Sequence, residues 1–121
     1  MEALRILVVE DDAMVAMFLS MTLDQMGHDV CAVEATEAGA VKAAGSLRPD
    51  LLIVDVGLSS GDGVSAVAQI LRAGPMPHIF ASGDAEQVRA RMPGAVVIQK
   101  PFQEANLARA IQRAMEAVAT P

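Results

Sequence analysis

The chain has 121 residues, 53% of them hydrophobic, which is enough for one domain with a buried core. Its 15 acidic residues outnumber 9 basic ones for a net charge of −6, and Trp and Tyr are absent, which excludes the basic, base-stacking surface of a nucleic-acid binder. No apolar run is long enough to cross a bilayer, no signal-like N-terminus is present, and the single Cys31 excludes an internal disulfide or a multi-cysteine metal site; a soluble cytoplasmic protein is expected.

Residues 4–9, Leu-Arg-Ile-Leu-Val-Val, read as the first strand, ending on Glu10-Asp11-Asp12. Asp12 caps a helix over 13–26, closed by Gly27. Residues 28–33 read as strand two, and Thr36 caps a helix over 37–47. Strand three is Leu51-Leu52-Ile53-Val54-Asp55, an unbroken apolar run that stops on one carboxylate, with turn residues on both sides. Such a run marks a strand buried on both faces. Asp62 caps a helix over 63–72. Strand four, 78–81, ends on Ser82-Gly83-Asp84, and 85–92 leaves room for a short helix before Pro93-Gly94. Residues 95–98 read as strand five, followed by Gln99-Lys100-Pro101-Phe102 and a helix over 103–118. Five strands alternating with five helices predict an α/β domain over 1–121: a parallel sheet with helices on both faces and right-handed crossovers.

In a parallel sheet the strand ends share one edge, and ligands of such folds bind there. That edge would carry Glu10 and Asp11, Asp55, Ser82 and Lys100. Three converging carboxylates repel one another unless a cation is present, and oxygen ligands with room for water suit Mg2+. Asp55 could then attack a phosphoryl group, with Lys100 and the Ser82 hydroxyl on its remaining oxygens. Each residue alone reads as a solvated turn, a capping serine or a surface lysine; the combination in this order does not.

With these residues in place the chain resembles the receiver domain of bacterial two-component response regulators. The resemblance rests on Glu10-Asp11, Asp55, Asp62-Gly63, Ser82 and Lys100-Pro101-Phe102, and covers essentially the whole sequence. It implies a flavodoxin-like sheet of order 2-1-3-4-5. It also implies that Asp55 takes a phosphoryl group from a phosphohistidine on a histidine kinase or phosphotransfer protein, with Mg2+ as cofactor. Asp11, Asp55 and the Gly57 backbone carbonyl would contact the metal, with Glu10 acting mostly through water. Lys100 would contact Asp55 and then the phosphoryl group, Ser82 would swing in to bind it, and the Lys100-Pro101 bond would be cis.

Four departures from the common receiver pattern stand out. Glu10 replaces the usual Asp, and Ser59 stands where many members carry Pro. Val97 takes the strand-five place of a switching aromatic. Ser82 and Lys100 are only 18 positions apart, which predicts a short or irregular helix four. Phe80-Ala81-Ser82-Gly83 is also similar to the Phe-Ala-Thr-Gly segment of a subgroup of single-domain receivers. A haloacid-dehalogenase-like phosphatase is disfavoured because Gly57 occupies the position of its second Asp. A flavodoxin-like cofactor module is disfavoured because Glu10-Asp11-Asp12 would repel a phosphate.

The expected function is signalling by protein contact, as a stand-alone receiver; a receiver belonging to a hybrid kinase or DNA-binding regulator is the alternative. On helix one, Val15, Phe18, Leu19 and Met26 are expected to pack on the sheet. Met14, Met17 and Met21 form a neighbouring stripe, expected to be partly exposed. The partner surface for the phosphohistidine protein is placed on this helix, at Met14, Val15, Met17, Phe18 and Met21. A downstream protein target is expected, with no nucleic acid and no membrane.

Overall fold

The computed structural model describes residues 2–119. Strands and helices alternate as β1 (Arg5–Val9), α1 (Ala13–Gln25), β2 (Asp29–Glu34), α2 (Glu37–Leu47), β3 (Leu51–Asp55), α3 (Gly63–Leu71), β4 (His78–Ser82), α4 (Ala85–Arg91), β5 (Val97–Gln99) and α5 (Glu104–Ala119). All strand pairs are parallel, in the order β2-β1-β3-β4-β5. Among the described residues, no helix is long and apolar enough to cross a membrane.

The unbroken apolar strands are explained by what covers them. Leu51 and Ile53 of β3 join Ile6, Val8, Leu19, Leu23, Leu107 and Ile111 beneath α1 and α5. Leu52 and Val54 point the other way, into Leu7, Val9, Ala40, Ala66, Val67 and Phe80 beneath α2 and α3. Both faces of the central strands are therefore dry, and each buried aliphatic side chain there contributes about 1.5–3 kcal/mol relative to exposure. The predicted caps form. Asp12 accepts from Met14 and Val15 N–H, Thr36 from Gly39 N–H and Asp62 from Val64 N–H. Helix α4 is short, as the spacing predicts, and Asp84 caps it through Gln87 N–H at 3.1 Å.

Two expectations require correction. The apolar run predicts strand five at 95–98, but the ladder runs over Val97–Gln99. A turn closes at Ala95 N–H to Met92 C=O, with Gly94 at φ +88, and this delays the strand's entry. On α1 the face against the sheet carries Ala16, Leu19 and Leu23, not Val15 and Phe18. The helix is rotated so that this i, i+3, i+7 row of small and aliphatic residues meets β1, leaving Phe18 54% exposed. Its ring leans on Phe102 instead, with centroids 6.4 Å apart. Val15 and Met26 are half-buried. Met14, Met17 and Met21 are exposed at 71%, 53% and 58%, as the stripe predicts.

Candidate functional site

The parallel register sets the site at one sheet edge. Val9 pairs with Val54, Asp55 with Ala81 and Ser82 with Gln99, so residues just past these pairs emerge together. Glu10 follows β1 and stays buried, because its N–H donates to the Glu34 carbonyl and its side chain turns inward. Lys100 leaves β5 through a cis bond to Pro101. Its ammonium lies 2.6 Å from Glu10 Oε1 and 3.4 Å from Asp55 Oδ2, bridging two carboxylates. Glu10 thus pairs directly with the lysine.

Burial pushes the Glu10 carboxyl up, against the opposing hydrogen bond from Lys100. Burial also works against the charged Lys100. The hydrogen bond to Glu10 and the charge of Asp55 outweigh it, and the ammonium is held above the usual lysine value. Asp11 is held low, chiefly by Ser59 N–H, which donates to its Oδ2 at 2.7 Å. Gly57 N–H donates to Asp55 Oδ1 at 3.2 Å. Behind the site, Gly63 opens α3 directly against the Asp55 backbone; a Cβ on Gly63 would collide with the Asp55 carbonyl oxygen.

Glu10, Asp11 and Asp55 each offer a carboxylate oxygen, all within 4.8 Å of one another. One ammonium stands against three carboxylates, so negative charge is left over, and every donor is a hard oxygen. This donor set fits Mg2+. Ser82 stands at the same edge, one residue past the register partner of Asp55. Its hydroxyl oxygen accepts from Asp84 N–H at 2.9 Å, within its own loop.

Two participants carry no signal of their own in the sequence. Gln99 donates to the Gly83 and Lys100 carbonyls and accepts from Ala85 N–H, tying β5 to the loop before α4. Glu37 gathers three donors from the loop after β3 and from α3. Both are polar residues in turn-rich surroundings; only the fold brings their partners near.

Comparison with known proteins bears on the family and the fold. Residues 6–112 match the family model of the response regulator receiver domain. The chain is 37% identical over 117 residues to the phyllosphere-induced regulator PhyR of Methylorubrum extorquens, covering 93% of this chain and 44% of that one. It is 26% identical over 114 residues to the chemotaxis protein CheY of Thermotoga maritima, covering 90% and 95%. The solution structure of the PhyR response regulator REC domain of Erythrobacter litoralis superposes with a TM-score of 0.87 at 28% identity, covering 98% of this chain and 95% of that one. The chain spans about half the length of the first curated relatives it matches, 44% and 56%.

Proposed function

The chain belongs to the response regulator receiver domain family, and from that membership we propose that it accepts a phosphoryl group on Asp55 from a partner's phosphohistidine and passes the signal on by protein contact. The observation that carries the reading is Lys100, whose ammonium bridges Glu10 and Asp55 beside a third carboxylate, Asp11. Asp11, Asp55 and the Gly57 carbonyl would hold Mg2+, with Glu10 at its margin. When bound, Mg2+ supplies charge neutralisation for the transferring oxygens.

This chain's own residues do the rest. An Asp55 carboxylate oxygen attacks phosphorus, the O–P bond forms as the P–N bond breaks, and the imidazole leaves with a proton from solvent. Lys100, 3.4 Å from Asp55 Oδ2, shifts onto a phosphoryl oxygen. The Ser82 hydroxyl turns from its loop to donate to another. No external substrate is turned over, so this is a signalling domain and not an enzyme in the usual sense.

The docking surface for the phosphohistidine protein is the exposed side of α1. Met14, Met17, Phe18 and Met21 expose flexible apolar side chains there. Met14, Val15 and Phe18 also line a groove of about 410 Å³ with Lys100, Pro101 and Phe102, which leads from this surface to the site. Acetyl phosphate with Mg2+ should add one base-labile phosphoryl group, and Asp55→Asn should abolish it while the fold persists. Equal labelling of both proteins overturns the assignment.

A further inference from the structure

We propose that Glu37, at the start of α2 and outside the carboxylate cluster, is a positioning residue for the metal site. It holds the loop between β3 and α3 so that the Ser59 N–H and the Gly57 carbonyl stay where a cation at Asp11 and Asp55 requires them. The inference rests on the phosphoacceptor reading above.

The loop is fastened to Glu37 at several points. Glu37 N–H donates to the Ser60 carbonyl at 3.1 Å. Its Oε1 accepts from Asp62 N–H at 2.8 Å. Its Oε2 accepts from the Ser65 hydroxyl at 2.9 Å and from Gln69 Nε2 at 2.5 Å. Ser60 and Asp62 flank Gly61, which sits at φ +89 and runs so close that a Cβ there would collide with the Glu37 side chain. The residue before Ser60 is Ser59, whose N–H fixes Asp11 Oδ2 at 2.7 Å. The Glu37 backbone thus holds Ser60 and its side chain holds Asp62, so both sides of Gly61 are fixed to one residue just after Ser59, and the side-chain tie at Asp62 is the one that a substitution of Glu37 removes.

The chemistry explains why this path matters. A carboxylate that ligates a metal binds best when a donor fixes its orientation, and losing such outer partners costs metal affinity about 10–100-fold. Ser59 N–H is that donor for Asp11, and a backbone donor is only as well placed as its loop. Three donors converge on Glu37, and the first of them, Asp62 N–H, holds its carboxyl below the ordinary value. Ionised, it can serve all three at once.

The test is Mg2+ titration by calorimetry, with amide hydrogen exchange of the metal-free protein. Glu37→Ala should weaken Mg2+ binding about tenfold and speed exchange across residues 57–62. Ser65→Ala removes one α2–α3 bond but leaves the loop's own ties, so it should bind Mg2+ as wild type does. Wild-type affinity in Glu37→Ala overturns the proposal, and so does equal weakening in both variants, which would reduce Glu37 to a staple between helices. If wild type itself binds no Mg2+, the phosphoacceptor reading fails as well. Should Glu37→Ala not fold, Glu37→Met, which keeps the length of the side chain but removes both acceptor oxygens, takes its place with the same outcomes.

Discussion

Gln99 holds Gly83 from the neighbouring strand: its side-chain nitrogen donates to the Gly83 carbonyl at 2.6 Å, while its oxygen accepts from Ala85 N–H at 2.9 Å. The next residue, Lys100, donates its own N–H to the Ser82 carbonyl at 2.8 Å. On the proposed reading, movement of Lys100 or Ser82 toward a phosphoryl group would be coupled to α4 through these bonds. That helix has seven residues and little stability of its own. Val97 is buried and stiff at χ1, so it cannot act as a rotating switch. Beryllofluoride with Mg2+, mimicking the phosphoryl group, should change amide exchange across residues 83–93. Changes confined to α1 would refute this readout. Gln99→Ala should speed exchange in the same segment without the mimic, at a cost of about 1 kcal/mol.

Removing the lysine strands a buried acid. Glu10 is 4% exposed, and its closest charged partner is Lys100. We expect Lys100→Ala to lower stability by about 1–3 kcal/mol at pH 7, the cost of leaving a buried charged group without its hydrogen bond. The loss should shrink as pH falls and Glu10 takes up a proton. Denaturant unfolding at pH 7 and pH 4.5 checks this. A cost that does not depend on pH would mean that Lys100 stabilises only by packing.

The α1 surface should matter to a protein donor and not to a small one. Met17→Glu with Met21→Glu places charge on the proposed docking side without touching the carboxylate cluster. Phosphotransfer from a phosphohistidine protein should fall about tenfold, the effect of about 1.4 kcal/mol of docking energy. Labelling by acetyl phosphate should stay the same. A parallel loss of both rates would show damage to the fold.

His28 ties stability to pH. It is buried, and its Nδ1 accepts from Leu4 N–H at 3.1 Å, so the neutral ring is the form that fits. Burial holds its pKa below the ordinary value of 6.5. The unfolded chain therefore takes up a proton first. The stabilisation is complete above about pH 6.5 and is lost as pH falls through the folded value. Unfolding midpoints at pH 7.5 and 5.5 should differ in that direction. His28→Gln, whose oxygen can take the same N–H, should show a smaller drop.

The sequence made the sheet legible because its signals are local. Leu51 to Val54, a short apolar run between turn residues, reads as a strand covered on both sides, and Asp12, Thr36 and Asp62 announce helices that begin where expected. The gathering of Glu10, Asp11, Asp55 and Lys100 follows once parallel strands share an edge. The rotation of α1 was not legible: Phe18 and Leu19 are equally apolar, and only the competition between Ala16 and Phe18 for space over β1 decides which faces inward. Strand five was read two residues early because Ala95 and Val96 continue its apolar run, whereas the Met92–Ala95 turn obeys Gly94. Gln99 and Glu37 stayed hidden because the partners that matter are distant in sequence: Ala85 and Gly83 lie 14 and 16 positions from Gln99, and the side-chain partners of Glu37 lie 25 to 32 positions away.

Gly63 makes one position of this protein intolerant of variation for a reason unrelated to chemistry. It is no ligand and carries no charge, and the obstacle to replacing it is volume: any side chain would press on the carbonyl of Asp55 and on Val54. If Asp55 is the acceptor proposed above, a library of substitutions across the chain would show two residues, eight apart, failing together, one for its carboxylate and one for having no side chain. Gly63→Ala offers a way to displace Asp55 without altering any group that ionises, and so to measure how much of the reactivity proposed for it comes from placement alone.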